Sequence, residues 1–170
     1  MKMKMNKPIF VAASLAAFLT ASSGAALAQQ GTISERSISV DAAMELATAA
    51  LARCRADGYK VSITVLNRHA RTAVVLSDDG VNPHTLENSY RKAYTAFTTR
   101  SPSGEMGKRP PLAIQGFLQL ANITTLEGAL PIFAGKELIG SVGISGAPGG
   151  EKDAACAQVG INRIAGSLGN

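Results

Sequence analysis

The sequence contains no tryptophan, and only 5% of its residues are aromatic. Carbohydrate-binding platforms stack sugars on exposed aromatic rings, so this composition argues against such a protein. The two cysteines and two histidines form neither a Cys-x-x-Cys motif nor a Cys/His cluster, which argues against a structural zinc site. The H-E-x-x-H motif of zinc proteases and the G-x-S-x-G nucleophile elbow are also absent from the sequence.

Most of the chain also lacks clustered positive charge. The formal net charge is +5, but three of the 17 basic residues, Lys2, Lys4 and Lys7, lie at the N-terminus. The rest of the chain carries 14 Lys and Arg against 12 Asp and Glu, a net charge of +2, with no basic block. This balance argues against nucleic acid as a partner.

The N-terminal segment has the three parts of a secretory signal peptide. Its basic start is followed by an apolar run from Ile9 to Leu19, and Ala26-Leu27-Ala28 matches the small-x-small pattern of a cleavage site. The apolar run is much shorter than the roughly 20 residues that span a bilayer. We therefore predict a periplasmic or secreted protein, with a signal peptide at 1–28, a flexible lead-in at 29–38 and a single domain at 39–170.

Cys54 and Cys156 are the two cysteines of the sequence. Export permits a disulfide between them. The hydrophobic pattern, however, places Cys54 on the apolar face of one predicted helix and Cys156 off the apolar face of another. We therefore predict two separate thiols, with Cys54 behaving as a small core residue, and keep a disulfide as the alternative.

The hydrophobic periodicity predicts three main helices, at Ser39–Ala56, Pro83–Thr98 and Glu151–Leu168. Alternating residues predict strands at Val61–Leu66, Thr72–Leu76, Leu130–Ala134 and Glu137–Ser145, with a short strand at Ile123–Leu126 and a short helix at Leu112–Leu118. This order lacks the strict β-α-β alternation of a parallel sheet. We therefore predict an α/β protein in which helices pack on the faces of an antiparallel sheet.

The helix ends and faces can be predicted in more detail. Ser39 caps the first helix and Gly58 terminates it, while Asn82 caps the second helix and Pro83 is its first residue. The predicted buried face of the first helix consists of Val40, Met44, Ala47, Leu51 and Cys54. That of the last helix consists of Ala154, Ala157, Ile161, Ile164 and Leu168.

Glycines punctuate the C-terminal half. The spacing of Gly140, Gly143 and Gly146 differs from the G-x-G-x-x-G fingerprint of dinucleotide-binding proteins, so we interpret it as tight packing of a strand and a turn. Gly149 and Gly150 precede a predicted helix. The free N–H groups at such a helix start can hold an anion such as a carboxylate or a haem propionate.

Several segments together resemble a known family. They are Arg91–Ala96, Thr125–Ile132, Gly140–Ala147 and Gly149–Asp153, followed by Gly160-Ile161. In combination they resemble the GlcG/HbpS-like haem-binding (haem-degrading) family, which includes the C-terminal module of PduO-type proteins. The resemblance extends from about Ser39 to Leu168, and its glycine-rich strand–loop–helix is the most specific part. The family usually has two glycines where this chain has Gly128-Ala129, a mild departure.

The resemblance implies a profilin-like α/β sandwich with an antiparallel central sheet. It also implies haem as the cofactor and a homo-oligomer of up to eight subunits, an octamer. Some members act outside the cell with a membrane sensor partner, and others degrade haem. Ligand, oligomer and sensor partner are therefore expectations from the resemblance.

The second predicted helix carries the candidate ligand residues. His84 lies in its first turn, where the positive end of the helix dipole disfavours the imidazolium form, and iron binds the neutral imidazole. Glu87 shares the face of His84. Arg91 or Lys92 is predicted to pair with a haem propionate. The alternative is an ordinary solvated face, on which Glu87 pairs with Arg91 at four-residue spacing.

Tyr90 and Tyr94, four residues apart, could stack on a flat ligand, although core packing is favoured for Tyr94. His69 lies in a predicted hairpin turn and is interpreted as a solvated loop residue. The predicted cofactor-binding residues are His84, Glu87, Arg91, Lys92, Tyr94, Gly128, Pro131, Gly149 and Gly150, with His84 as the metal ligand.

The leading functional hypothesis is an exported protein that sequesters, stores or relays haem as a homo-oligomer. The alternative is an enzyme or binder acting on a small organic acid, with the carboxylate held at the helix start formed by Gly149 and Gly150. A third hypothesis is an oligomer that serves a structural or sensor-partner role without ligand chemistry.

Overall fold

The computed structural model describes residues 31–169, and residues 34–169 form the body considered below. The predicted signal peptide lies outside the described residues. The helices are α1 (Val40–Ala56), α2 (His84–Thr99), α3 (Pro111–Ile114) and α4 (Gly150–Ile164), and the strands are β1 (Ser62–Asn67), β2 (Thr72–Ser77), β3 (Ala129–Ala134) and β4 (Glu137–Ser145). Across the described part of the chain, no helix is both long and apolar enough to cross a membrane.

The four strands form one sheet in the order β2-β1-β4-β3, and all neighbouring strands run antiparallel. In the centre, Val65 of β1 lies opposite Val142 of β4, and Thr64 lies opposite Gly143. The predicted antiparallel sheet with helices on its faces is confirmed.

One face of the sheet is apolar and is covered by α1 and α4. Ile63 and Val65 of β1 join Val142 and Ile144 of β4 on this face, and all four side chains are fully buried. Because side chains alternate along a strand, the residues between them face the other way. The main hydrophobic core therefore lies between the sheet and the α1–α4 pair.

The opposite face of the sheet is built from small and hydroxyl-bearing residues and is covered by α2. Three contacts of 2.8 Å join it to the helix: the hydroxyl pairs Ser62–Thr85 and Thr64–Ser89, and a hydrogen bond from the Ser141 hydroxyl to the backbone oxygen of Ala93. At Gly143, a Cβ atom would lie only 2.2 Å from the backbone oxygen of Ser89. Helix α2 therefore packs unusually close to the sheet, and the predicted packing role of the glycine-rich strand is confirmed.

The predicted start of α1 is confirmed, since the Ser39 hydroxyl accepts a hydrogen bond from the backbone N–H of Ala42. Its predicted buried face is wrong at Val40 and Met44, which are 59% and 45% exposed. The buried residues are Ala43, Leu46, Ala47, Ala50 and Cys54. Small residues mark this face because α4 crosses closely, and alanine contributes little to a hydrophobic pattern.

The interface between α1 and α4 also changes the predicted face of α4. Ala157 and Ile164 are buried as predicted, whereas Ala154, Ile161 and Leu168 are only half-buried. A Cβ atom on Gly160 would lie 2.6 Å from the backbone oxygen of Leu46 in α1. The tightest contact therefore falls on a glycine, which periodicity of large apolar residues does not detect.

Three local predictions are wrong. Residues 123–126 form a loop rather than a strand, because the backbone N–H of Thr124 bonds to the Thr95 hydroxyl of α2 instead of to a neighbouring strand. The predicted helix at 112–118 is divided into α3 and a separate 3-10 turn, Phe117–Gln119. Helix α2 begins one residue later than expected, with Pro83 in the N-cap position, and Asn82 contributes its backbone oxygen.

The segment before α1 contacts the body at several points. The guanidinium of Arg36 donates to the backbone oxygens of Leu168 and Gly169, and its backbone N–H donates to the Glu137 carboxylate. The flexibility expected for residues 29–38 stays a prediction. The contacts of Arg36 nonetheless join the two ends of the domain.

Cys54 and Cys156 form a disulfide, with Cα atoms 5.6 Å apart and a sequence separation of 102 residues. The prediction of two separate thiols is therefore wrong. Both residues are fully buried, Cys54 on α1 and Cys156 on α4. Cys156 faces inward because the α1 contact widens the buried side of α4 beyond its apolar stripe.

We expect the disulfide to contribute strongly to stability, because it closes a long loop and so restricts the unfolded chain. The double variant Cys54→Ala/Cys156→Ala should lower the free energy of unfolding by about 2–5 kcal/mol. Urea denaturation of the mature chain measures this difference. A reducing agent should lower the urea midpoint of the parent protein but not that of the variant, and an unchanged parent midpoint would contradict the prediction.

Candidate functional site

A cleft of about 310 Å³ opens between the start of α2 and the loop that joins β4 to α4, and we call it the α2–α4 cleft. From α2 and the residue before its cap it is lined by Asn82, His84, Thr85, Asn88 and Lys92. The remaining lining residues are Leu126, Glu127, Ser145, Gly146, Ala147, Pro148, Gly149, Gly150 and Asp153. The cleft thus lies where the hydroxyl-bearing face of the sheet ends.

A buried ion pair forms the floor of the α2–α4 cleft. The Lys92 Nζ atom lies 2.8 Å from Oδ2 of Asp153 and donates a second hydrogen bond, of 3.0 Å, to the backbone oxygen of Ile144. The other Asp153 oxygen, Oδ1, accepts a hydrogen bond of 3.0 Å from the backbone N–H of Ala147. The side chains of Lys92 and Asp153 are only 5% and 3% exposed.

Burial dominates the electrostatics of this pair. Desolvation raises the pKa of the Asp153 carboxyl above its usual value, while the charge and hydrogen bond of Lys92 and the N–H of Ala147 act in the opposite direction. Each charge thus has its partner inside the protein. Lys92 is therefore engaged with Asp153 and does not offer a solvent-facing cation for a haem propionate.

The wall formed by α2 presents polar side chains at intervals of one helical turn. His84, Asn88 and Lys92 are four residues apart and so lie on one side of the helix. His84 is exposed at the rim, whereas Lys92 lies at the floor. Between them, the Asn88 amide donates a 2.9 Å hydrogen bond to the Ser145 hydroxyl and so joins α2 to the end of β4.

The wall formed by α4 is its N-terminal turn. The backbone oxygen of Gly149 accepts hydrogen bonds from the N–H groups of Lys152 and Asp153. A Cβ atom on Gly150 would lie 2.6 Å from the backbone oxygen of Glu127, and the Glu151 carboxylate lies against Gly149. The helix start therefore already has two carboxylates of its own, Glu151 and Asp153, in its first turn.

A family model described as "Haem degrading protein HbpS-like" matches residues 38–162, which is most of the chain. The chain belongs to the HbpS-like family. The resemblance identified from the glycine-rich segments is thereby confirmed. The description of the family model also supports haem as the ligand of proteins in this family. No curated protein is significantly similar to this chain.

Solved structures agree with this assignment. The chain is 30% identical to HbpS, with a TM-score of 0.74, over 82% of this chain and 96% of that one. A double mutant of HbpS from Streptomyces reticuli gives 28% identity and a TM-score of 0.75 over 94% of this chain and 99% of that one. A PduOC:heme complex is 23% identical, with a TM-score of 0.69 over 75% of this chain and 95% of that one, which shows the shared fold.

The fold brings together five of the nine predicted cofactor-binding residues. His84, Lys92, Gly149 and Gly150 line the α2–α4 cleft. Gly128 lies directly behind it, since a Cβ atom there would be 2.7 Å from the Lys92 Nζ atom. Of these five, His84 is the side chain that is both exposed and able to bind iron.

Four predicted residues lie elsewhere, outside the lining of the α2–α4 cleft. Glu87 is 77% exposed and lies 3.8 Å from Arg91, as the solvated-face alternative proposed. Arg91 also donates to the backbone oxygen of Ile123. Tyr94 packs against the small buried cluster of Met106, Ile114 and Ile123, and Pro131 lies in β3 opposite Ser141. Their roles in cofactor binding stay predictions.

The described residues contain no group of three or more His, Cys, Asp and Glu side chains arranged around a metal ion.

The sequence reasoning missed Asp153 and Asn88. Asp153 belongs to the segment that carries the family resemblance, so the signal was present, but its ion pair spans 61 residues and leaves no local pattern. Asn88 could have been found from its four-residue spacing to His84 and Lys92.

We expect Gly128→Ala to disturb the floor of the cleft. Gly128 has a φ angle of +129°, which disfavours any side chain, and its Cβ atom would press against Lys92. The substitution should lower the free energy of unfolding by about 3 kcal/mol, measured by urea denaturation.

Gly135→Ala provides the matched control for Gly128→Ala. Gly135 also has a positive φ angle, +62°, but among the described residues its Cβ atom would meet no atom within 4 Å. The substitution Gly135→Ala should lower the free energy of unfolding by only about 1 kcal/mol. Equal effects of the two substitutions would show that backbone strain alone, and not the ion pair, makes Gly128 sensitive.

Proposed function

We propose that this chain is an exported haem-binding protein that sequesters, stores or relays haem. The observation that carries the proposal is an exposed histidine, His84, on the rim of the α2–α4 cleft in a chain of the HbpS-like family. The 30% identity to HbpS over 96% of that chain supports the same function. The PduOC:heme complex adds that this fold is compatible with haem.

The residues present fit a haem group at one edge of the cleft. The imidazole of His84 would hold the iron, and the half-exposed Leu126 beside it offers an apolar contact for the macrocycle. Bound haem would supply the iron centre. The contribution of this chain is to bind the group and to orient the imidazole from the first turn of α2.

A cleft of about 310 Å³ holds only part of a haem group, so the remainder would extend beyond it. We propose that a second copy of the chain covers the exposed part in a homo-oligomer. A run of exposed apolar side chains supports this proposal: Leu112, Phe117, Leu118 and Leu120. These four residues lie within nine positions of the sequence, and large exposed apolar patches often mark interfaces with other proteins. The proposal of a membrane sensor partner comes from the family resemblance.

Export is supported by the disulfide between Cys54 and Cys156. Disulfides persist in oxidising compartments and are rare in the reducing cytosol. The buried cystine therefore agrees with the signal pattern of residues 1–28. The two observations are independent, so together they support export more strongly than either does alone. We therefore propose that the protein is periplasmic or secreted.

We expect hemin added to the mature protein to give a saturable Soret band. His84→Ala should shift this band and weaken binding, because it removes the proposed iron ligand. The absorption titration measures both effects. His69→Ala is the matched control, since His69 is an exposed histidine on the β1–β2 turn, away from the cleft.

The outcomes of this titration separate two claims. If the parent protein causes no saturable shift of the Soret band relative to free hemin, the proposal of haem binding is wrong. If the parent binds hemin and His84→Ala has an identical spectrum, haem binding stands and His84 is not the iron ligand.

We expect the exported protein to begin at Gln29. Expression in a Gram-negative host, followed by fractionation and intact-mass measurement, tests this directly. Deletion of residues 2–28 should leave the chain in the cytoplasm, because the signal is then missing. A full-length mass in the periplasmic fraction would contradict cleavage after Ala28.

The alternative, a binder or enzyme for a small organic acid, receives less support from the geometry. The Glu151 carboxylate already lies against Gly149 at the start of α4, so a ligand carboxylate there would meet negative charge. A thermal-shift panel of small organic acids distinguishes this alternative. Stabilisation by an acid, without any hemin effect, would favour it over haem binding.

A further inference from the structure

The ion pair of Lys92 and Asp153 lies where five segments of the chain meet. Lys92 comes from α2, and its ammonium also bonds to the backbone oxygen of Ile144 at the end of β4. Asp153 comes from α4 and accepts the backbone N–H of Ala147 in the loop. Gly128, just before β3, packs against both partners. The pair therefore connects every element that forms the α2–α4 cleft.

The position of the pair determines how the two walls of the cleft face each other. Lys92 lies two helical turns from His84 on the same side of α2. Asp153 lies one turn from Gly149 and Gly150, which begin the opposite wall. The 2.8 Å contact between Lys92 and Asp153 thus joins the rear of both walls. With exposures of 5% and 3%, both side chains lie mostly beneath the ligand-contacting surface of the cleft.

Stability alone is a weak reason for such a pair. A buried ion pair often contributes no more to stability than apolar residues of similar volume would, because both charges lose their hydration. Apolar replacements could fill the space, but they could not accept the Ala147 N–H or donate to the Ile144 oxygen. The ion pair therefore fixes the positions of the loop and of the helix start, which apolar packing would not do.

We propose that Asp153, held by Lys92, is the positioning residue of the α2–α4 cleft. It fixes the loop at Ala147 and the start of α4 relative to α2, and it does not touch the ligand. As far as haem is the ligand, this inference rests on the proposed function. The positioning of the loop itself does not depend on which ligand is bound.

The test compares the parent mature protein with Asp153→Asn and with the double variant Lys92→Met/Asp153→Leu. Asp78→Asn is the matched control. Asp78 is also a buried carboxylate, which bonds to a cation, Arg55, at 2.7 Å and to the backbone N–H of Asp79 at 2.8 Å, but it does not line the α2–α4 cleft. Three quantities are measured: hemin affinity, the urea midpoint and hydrogen exchange of the Ala147 amide.

We expect the double variant to fold, with a urea midpoint lowered less than that of Asp153→Asn, since both charges are removed together. Its hemin affinity should nevertheless fall by about ten- to hundredfold, as is typical when a group that orients ligand-binding residues is removed. The Ala147 amide should exchange faster in the double variant, which has no acceptor for it, and to a smaller extent in Asp153→Asn, whose neutral amide holds Lys92 more weakly. Asp78→Asn should change neither hemin affinity nor Ala147 exchange.

A folded double variant with the hemin affinity and Ala147 protection of the parent would overturn the proposal. If the double variant does not fold, Asp153→Asn decides by the same two measurements. If the parent itself does not bind hemin, the proposed function is wrong. The exchange of the Ala147 amide then still decides whether Asp153 fixes the loop.

Discussion

The buried ion pair between Lys92 and Asp153 is the interaction on which the geometry of the site depends. It places a charge from α2 against a charge from α4, and both are almost inaccessible to water. Such an arrangement is stable only when the remaining polar atoms are also bonded, and here Ile144 and Ala147 supply those bonds. The same four groups consequently fix the loop, the strand end and both helices around the cleft.

The two faces of the sheet stabilise the fold through different interactions. Apolar side chains between the sheet and the α1–α4 pair provide the main core, and the Cys54–Cys156 disulfide joins the two helices. The other face bears hydroxyl groups and glycine, and it holds α2 by hydrogen bonds instead of large apolar contacts. Hydrogen bonds are directional, so they set the position of α2 more narrowly than apolar packing does. The residues that α2 contributes to the candidate site therefore lie on the side of the sheet where position is most strictly defined.

Much of the fold could be predicted because its signals are local. Alternation in β1 and β4, the cap at Ser39 and the glycine-rich strand all showed the correct elements, and the family resemblance is confirmed. The errors occurred where a contact with a distant element overrode the local pattern. The exposed Met44 and the loop at Thr124 are examples, because α4 and α2 respectively determine their surroundings. The candidate site was predicted in part, since His84, Gly149 and Gly150 are brought together whereas Glu87 and Pro131 are not.

The three main helices and the four sheet strands in their order, the antiparallel sheet, the family and the helix that carries His84 were all predictable from the sequence. The helices and strands follow from residue types at short spacing, which limit the backbone conformations that a segment can adopt, whereas the family follows from segments spread along the chain. The pairing of Lys92 with Asp153 and of Cys54 with Cys156, across 61 and 102 residues of sequence, was evident only from the packed fold. Such pairs depend on how whole elements pack, and no periodicity within either segment contains that information. As a result, Lys92, which the sequence suggested as a partner for a ligand, is a partner for the protein itself.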